Sequence, residues 1–396
     1  MRKHVDTADR LLALRQRGQS VWLDSISRGL VSSGELRHYV ERDGISGVTT
    51  NPTIFAKALA SGSEYDDAIR RVVEDRPGIS NAALAERLMI EDIQMAADVL
   101  RPVFDRTQGA DGFVSLEVSP ACAGNTEATV AETRRLWFDI ARLNAMIKIP
   151  ATPAGIPAIE ALLVQGININ ITLMFSMAHY DAVAKAYLRA LAGQRSPHQV
   201  ASVASLFISR VDAVVDPLLD AVATREAARL RGRVALANAR RIYRRFVAIT
   251  EGDTFSELRR RGARAQRLLW ASTATKDVSY SDVRYLEGLA APDTVTTVPP
   301  ATLAAFRDHG TVTELSFESA AGDDDATLAG AAALGIDLAT ITEQLQAEGV
   351  AAFARSYDHL LAALEDKRIA VGDRESRGEE SPARTIAPDR WRRASR

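Results

Sequence analysis

A lysine inside an otherwise apolar run is the residue of this sequence whose surroundings most clearly indicate chemistry. Lys148 lies at the centre of residues 145–150 (AMIKIP). Successive side chains of a strand point to opposite faces, so the two flanking isoleucines share one face and Lys148 points away from them. Burial of an ammonium group costs several kcal/mol unless it is paired, whereas a buried neutral amine can attack carbonyl carbon. The sequence therefore predicts either a Schiff-base lysine or a structural lysine paired with Asp24 or Glu117.

Two acidic residues, Asp24 and Glu117, occur in short alternating runs that place them on the same inner face as Lys148. A Schiff-base reaction needs a proton acceptor for the substrate hydroxyl and a proton relay for loss of water from the carbinolamine. The two carboxylates could divide these tasks, or either could be only an ion-pair partner. Asn51 and Asn170 suit hydroxyl recognition or, alternatively, hydrogen bonds that hold the protein interior together.

Two cations follow later strand-like runs. Arg210 comes directly after residues 203–209, and Lys276 follows residues 270–275, which include Ser272. Loops after late strands of a barrel often bind phosphate, and arginine makes paired contacts with it. The alternative is that both are solvated surface charges. His179, His198 and His309 have no metal-ligand spacing, so we expect no metal site.

Short strand-like runs alternate with longer helical patterns along the chain, which is typical of a parallel sheet covered by helices. The predicted strands are 21–24, 47–51, 113–119, 145–150, 167–175, 201–208, 268–272 and 294–298, and the clearest predicted helices are 81–104 and 126–143. Eight strand–helix units predict a (β/α)8 TIM barrel. A doubly wound open sheet is the alternative, but no glycine-rich dinucleotide-type turn follows any strand.

Several of these strands alternate between apolar and polar residues, as in 167–173 (ININITL). The pattern predicts that isoleucine and leucine side chains, including Leu173, face the helices and that polar side chains point into the barrel. Active sites of such barrels lie at the carboxyl ends of the strands, so inward polar residues there predict an active site.

The domain organisation follows from where this alternation is interrupted. Residues 1–366 are predicted to form the barrel domain, with helical insertions at about 213–262 and 310–365 and an amphipathic segment at 342–364. Residues 367–396 are rich in charge and poor in large apolar side chains, which predicts a disordered tail. Because acidic and basic residues are interleaved there, a solvated terminus is favoured over a functional basic tail.

Composition limits the classes of function. The 396 residues are 46% hydrophobic and 25% charged with a formal net charge of -2, which gives no support to a nucleic-acid or membrane-surface partner. Cys122 is the only cysteine, which excludes a disulfide framework and a cysteine-based metal cluster. No signal-peptide core and no apolar run of membrane-spanning length are present, so we expect a cytoplasmic protein.

The polar inner residues lie in segments that together resemble the transaldolase family, and its larger bacterial branch in particular. The segments are 48–55 (VTTNPTIF), 115–118 (SLEV), 147–152 (IKIPAT), 168–176 (NINITLMFS) and 270–273 (WAST). The resemblance extends from near the amino terminus to about residue 365 and leaves out the charged tail. It implies a (β/α)8 barrel that acts on sugar phosphates.

The resemblance also implies a role for individual residues. Lys148 matches the Schiff-base lysine, Asp24 the acid/base on the first strand, and Glu117 with Thr172 the pair that activates a catalytic water. The residues that match groups around the substrate are Thr49, Asn51, Asn170, Ser205 and Phe207. Arg210 and Ser272 match phosphate ligands. Lys276 is a further phosphate candidate from its position after the seventh strand, and there the sequence departs from many relatives, which carry an arginine nearby.

The implied reaction transfers a dihydroxyacetone unit from sedoheptulose 7-phosphate to glyceraldehyde 3-phosphate in the pentose phosphate pathway. No cofactor is expected, because the protonated imine is itself the electron sink. Alternatives are a fructose 6-phosphate aldolase, whose members are shorter and tend to have glutamine and tyrosine at the positions of Glu117 and Phe207, a related enzyme of a specialised pathway, and a non-catalytic sugar-phosphate sensor. A monomer and a homodimer are both compatible with the sequence.

Overall fold

Eight parallel strands form a closed barrel in the computed structural model, which describes residues 7–194, 197, 200–312 and 317–376. The strands are β1 (Gln19–Asp24), β2 (Gly47–Thr49), β3 (Phe113–Glu117), β4 (Ala145–Pro150), β5 (Ile169–Met174), β6 (Ser202–Phe207), β7 (Arg267–Ala271) and β8 (Thr294–Val298). They are hydrogen-bonded in chain order, and β1 pairs with β8 to close the barrel. The predicted (β/α)8 fold is confirmed.

Helices surround this barrel and cover its carboxyl-terminal mouth. They are α1 (Thr7–Gln16), α2 (Arg28–Ser32), α3 (Glu35–Arg42), α4 (Pro52–Ala60), α5 (Asp66–Asp75), α6 (Asn81–Arg106), α7 (Thr126–Ile140), α8 (Gly155–Val164), α9 (Met177–Gly193), α10 (Ser209–Val222), α11 (Arg225–Leu230), α12 (Val234–Glu251), α13 (Asp253–Arg260), α14 (Arg284–Gly288), α15 (Pro300–His309), α16 (Ala321–Ala333) and α17 (Leu338–Ser376). None of these helices is long and apolar enough to cross a membrane, within the part of the chain that the structure describes.

The lower half of the barrel interior is apolar and closely packed. Its cluster contains Trp22, Phe113, Met146 and Leu269, all nearly inaccessible to solvent. Gly47 lies against the Trp22 ring, and an added Cβ atom there would come within 2.5 Å of it. The polar side chains therefore occupy the upper half of the barrel, at the carboxyl ends of the strands.

Parallel register brings the predicted inner residues into neighbouring positions. Glu117 on β3 is opposite Lys148 on β4, and Lys148 is opposite Asn170 on β5. Asp24 on β1 is opposite Thr49 on β2. The strands thus carry these residues at one level of the barrel, where the sequence predicted an active site.

Leu173 departs from the regular alternation of β5, and it packs in the hydrophobic core next to Gly349 of α17. The pairing of β5 with β6 is irregular between Ile171 and Met174, and Leu173 adopts a left-handed φ of 58°. Such an irregularity turns one side chain out of the alternation. Leu173 consequently lines the cavity at the barrel mouth.

The segment after the eighth strand ends in α17, which extends beyond the predicted domain boundary at residue 366. Lys367 forms an ion pair of 2.8 Å with buried Asp66, Arg368 donates to the Ile79 carbonyl over 2.9 Å, and Val371 is buried. These contacts hold residues 367–371 against the rest of the domain, so their charged composition did not indicate disorder. Residues 377–396 lie outside the described residues, and the tail predicted there stays a prediction.

Candidate active site

Lys148 lies in the barrel with two defined partners. Its Nζ atom is 2.8 Å from Glu117 Oε1, and it donates to the Thr50 carbonyl over 3.1 Å. Strand β2 ends at Thr49, which leaves the Thr50 carbonyl outside its ladder, while the Thr50 hydroxyl donates to the Ser115 carbonyl. Lys148 is 7% exposed, and its two contacts hold the amine at one place in the barrel.

Asp24 lies at the end of β1, near the same group of charges. Burial raises the pKa of its carboxyl group, Lys148 and Lys276 act in the opposite direction, and Glu117 adds to the rise. The carboxylate is thus a stronger proton acceptor than a solvated aspartate. This property suits a group that removes a hydroxyl proton.

Glu117 and Thr172 each have an atom available for a further hydrogen bond. Burial raises the pKa of Glu117, although the neighbouring Lys148 opposes the rise. Glu117 Oε2 and Thr172 Oγ1 are both buried and form no hydrogen bond with the described residues. Buried polar atoms normally have a partner, so these two are available to substrate or solvent beside Lys148.

The amide and hydroxyl residues divide into two groups. Asn170 is fully buried, where it donates to Ser115 Oγ over 3.0 Å and accepts from Ser205 Oγ over 2.7 Å. Asn170 lines neither of the two cavities described below, whereas Ser205 and Thr49 line the smaller one. The Oδ1 atom of Asn51 caps α4 by accepting from the Ile54 amide, so its Nδ2 group is the part left for a ligand.

The two predicted phosphate-binding cations converge at the ends of β6 and β7. Arg210 and Lys276 form no ion pair with the described residues, and the Arg210 guanidinium lies 5.3 Å from the centre of the Phe207 ring. Burial lowers the pKa of both groups, and Arg210 further lowers that of Lys276. Ser272, which has a φ of 55°, shares a hydrogen bond of 3.0 Å with Ser209. Asp24 lines the same cavity and opposes the lowering of the Lys276 pKa, so two close cations with one nearby carboxylate form a site suited to an anion.

Two adjoining cavities connect these groups. The larger, of about 740 Å³, is lined by Asp24, Glu117, Lys148 and Thr172. The smaller, of about 200 Å³, holds the cations and is lined by Thr49, Ser205, Ser272 and others. The residues that line both cavities are Asp24, Asn51, Lys148, Phe207, Arg210 and Pro299.

A wall of the larger cavity was missed in the sequence. We use "the α17 wall" for Gly349, Ala352, Phe353 and Ser356, which line the cavity from α17. Their spacing of three and four residues follows one face of a helix. The sequence predicted an amphipathic helix here, but its pattern carried no signal for where that helix docks.

The histidines do not contribute to this site. His179 accepts from the Phe175 amide and lies 2.9 Å from Glu343, and His309 lies near Asp282 at the surface. His198 is outside the described residues. Within the described ranges, no group of three histidine, cysteine or acidic side chains could hold a metal ion.

The chain matches known proteins over most of its length. The sequence model of the family described as Transaldolase/Fructose-6-phosphate aldolase matches residues 21–364. The chain belongs to this family.

Among similar proteins, Transaldolase of Thermobifida fusca is 46% identical over 356 residues, which cover 89% of this chain and 96% of that protein. Transaldolase of Thiobacillus denitrificans is 44% identical over 352 residues, covering 88% and 97%. Transaldolase 2 of Nostoc sp. strain PCC 7120 is 41% identical over 379 residues, covering 90% and 97%. The predicted family is confirmed, and these relatives support the predicted transferase activity.

Proposed function

We propose that this chain transfers a dihydroxyacetone unit from sedoheptulose 7-phosphate to glyceraldehyde 3-phosphate, giving erythrose 4-phosphate and fructose 6-phosphate. The observation that carries the proposal is the buried Lys148 amine, which pairs with Glu117 and lines one cavity with Asp24, together with two cations in the adjoining cavity. A sensor protein would need the cations but would have no use for a buried amine that shares a cavity with two acids.

In the first half of the reaction, the Lys148 amine attacks the ketose C2 carbonyl. The carbinolamine loses water to give a protonated imine, and the free Oε2 atom of Glu117 and the Thr172 hydroxyl are placed to hold that water. Asp24 removes the C4 hydroxyl proton, the C3–C4 bond breaks, and its electron pair enters the imine to give an enamine. The shortened aldose phosphate then leaves.

In the second half, the enamine C3 attacks the carbonyl carbon of the acceptor. The new hydroxyl oxygen takes the proton that Asp24 holds, and water releases the product ketose from Lys148. Proton transfer by positioned side chains of this kind contributes roughly a hundred- to ten-thousandfold in rate. Arg210, Lys276 and Ser272 bind the phosphate of donor and acceptor in turn, and no cofactor takes part.

Borohydride trapping tests the proposal. The protein is incubated with fructose 6-phosphate and borohydride, and the modified peptide is identified by mass mapping. We expect one reduced adduct, on Lys148. An adduct on another lysine would refute the assigned nucleophile, and the absence of any adduct together with absence of transfer would refute the function.

A fructose 6-phosphate aldolase is the second candidate, because the matching family includes both activities. Glu117 and Phe207, which both line the larger cavity, favour transfer, since aldolases of this group resemble the chain less at these positions. Release of free dihydroxyacetone from fructose 6-phosphate without an acceptor separates the two. Release as fast as transfer would establish the aldolase.

A further inference from the structure

The Phe207 ring lies where the two cavities adjoin and contacts one of the two cations there. It lines both cavities, and the Arg210 guanidinium lies 5.3 Å from its centre. A guanidinium at this distance is attracted to the face of an aromatic ring. Within the described residues, the Arg210 side chain forms neither a hydrogen bond nor an ion pair, so the ring is the contact that defines where its guanidinium lies.

Phe175 supports the same ring from the interior of the protein. It follows β5 directly, is fully buried and lines neither cavity. The centres of the Phe175 and Phe207 rings are 5.4 Å apart, and the ring planes are inclined by 44°. This separation is in the range of favourable contacts between aromatic rings. Because Phe175 does not reach either cavity, any effect that it has on a ligand must pass through a neighbour such as Phe207.

Hydrogen bonds from two outer helices hold the backbone of Phe175. Its amide donates to His179 Nδ1 on α9 over 3.2 Å, and its carbonyl accepts from Asn238 Nδ2 on α12 over 2.9 Å. Both partners are buried. The Phe175 ring is therefore a fixed support, and in a close-packed interior the position of the Phe207 ring depends on it.

We propose that Phe175 is a positioning residue for the phosphate site, which holds the Phe207 ring and, through that ring, the Arg210 guanidinium. This inference rests on the proposed function, because it takes Arg210 as a phosphate ligand. Loss of the Phe175 ring leaves a space behind Phe207, and the surrounding structure fills such a space only in part. The Phe207 ring then shifts, and Arg210 loses the place from which it meets the phosphate.

The test measures KM for fructose 6-phosphate at saturating glyceraldehyde 3-phosphate. We expect Phe175→Leu to raise KM about two- to fivefold, the factor that corresponds to loss of one contact between an arginine and a ring, and to change kcat by less. The dissociation constant of inorganic phosphate, measured by calorimetry without substrate, should rise by the same factor. If neither constant changed, the inference would be overturned.

A double-mutant cycle distinguishes positioning of Arg210 from a general loss of packing. If Phe175 acts through Arg210, Phe175→Leu should raise KM much less in a protein that already carries Arg210→Ala than in the wild type. A disturbance that bypasses Arg210 would raise KM by the same factor in both proteins. Equal factors would therefore refute the inference, as would an Arg210→Ala variant with the wild-type KM.

Phe306→Leu is the matched control, because Phe306 is also fully buried but packs in the core from α15 and lines neither cavity. It should leave KM and the phosphate dissociation constant at their wild-type values, and a rise equal to that of Phe175→Leu would contradict a specific role of Phe175. If Phe175→Leu did not fold, Phe175→Met would decide, because methionine fills irregular gaps without supplying a ring. It should raise both constants.

These measurements separate the inference from the function on which it rests. A wild-type protein that transfers to glyceraldehyde 3-phosphate, combined with equal factors in the cycle, refutes only the role of Phe175. A wild-type protein that forms no adduct on Lys148 and transfers no dihydroxyacetone unit refutes the proposed function. The role of Phe175 is then decided by the phosphate dissociation constants of the wild type, Phe175→Leu and Phe306→Leu.

Discussion

Arg210 provides the sharpest test of the phosphate site, because its substitution should separate binding from stability. Truncation to alanine removes a charge-assisted contact of about 1.5–3 kcal/mol. We therefore expect KM for fructose 6-phosphate to rise roughly ten- to hundredfold, while any activity on unphosphorylated fructose stays within about twofold of its wild-type value. The assay is initial-rate kinetics on both ketoses.

Stability should respond in a different way. Burial lowers the pKa of the Arg210 guanidinium. Burial and the charge of Arg210 lower the pKa of Lys276, so both ionised side chains make the folded state less stable. Substitution relieves this cost and loses a contact with the Phe207 ring of about 0.5–1 kcal/mol. We expect the melting temperature to change by less than about 3 °C without ligand, and added inorganic phosphate to stabilise the variant less than the wild type.

Two comparisons complete this experiment. Arg189→Ala is the control, because Arg189 forms an exposed ion pair with Glu160 on the outer helices and should leave KM unchanged. In the double variant Arg210→Ala with Lys276→Ala, the two losses of binding free energy, measured from KM, should not add, because the two cations interact. If phosphorylated and unphosphorylated ketoses lost activity equally, Arg210 would be structural and the assignment refuted.

Three further predictions concern the carboxylates and the amine. Lys148→Ala should abolish turnover and borohydride trapping while circular dichroism stays that of the folded protein; measurable transfer by this variant would exclude the amine as nucleophile. Glu117→Gln, combined with Phe207→Tyr, should shift the partition from transfer toward dihydroxyacetone release, since the amide holds the catalytic water differently; an unchanged partition would mean that Glu117 does not control it. Asp24→Asn should abolish cleavage yet raise the melting temperature at neutral pH, because burial raises the pKa of Asp24 and so makes its ionised form unfavourable in the fold. This gain should vanish below the unfolded pKa of about 4, and wild-type activity should fall as pH is lowered through the raised pKa; a variant less stable than wild type at pH 7 would contradict the argument.

The sequence predicted the barrel well because polar residues inside it interrupt otherwise apolar strands. Asn168, Asn170 and Thr172 alternate with isoleucines, and that alternation requires an inner polar face. The contact between Lys148 and Glu117 depends on the register of β3 and β4, which alternation alone leaves open. The residues alone left Asp24 and Glu117 as alternative partners of Lys148, and the register places Glu117 opposite it.

The sequence was least informative where tertiary contacts override a local pattern. Leu173 follows the alternation in sequence, but an irregular step in the pairing with β6 turns it into the cavity. Lys367 and Arg368 appear in a charged composition typical of disorder, yet each has a partner on the domain. Phe353 looks like any apolar residue of an amphipathic helix, because a sequence does not record what a helix packs against.

The order in which the chain is synthesised gives α17 a further consequence. All eight strands precede α17, and domains fold from the amino terminus as the ribosome releases them. The barrel can therefore close before the wall of its active site has been made, and α17 must dock onto a surface that already exists. An element added in this way can also detach by local unfolding while the barrel stays intact. If α17 detaches in this way, a protease should cleave within α17 faster than within the strands. Bound sugar phosphate should slow that cleavage.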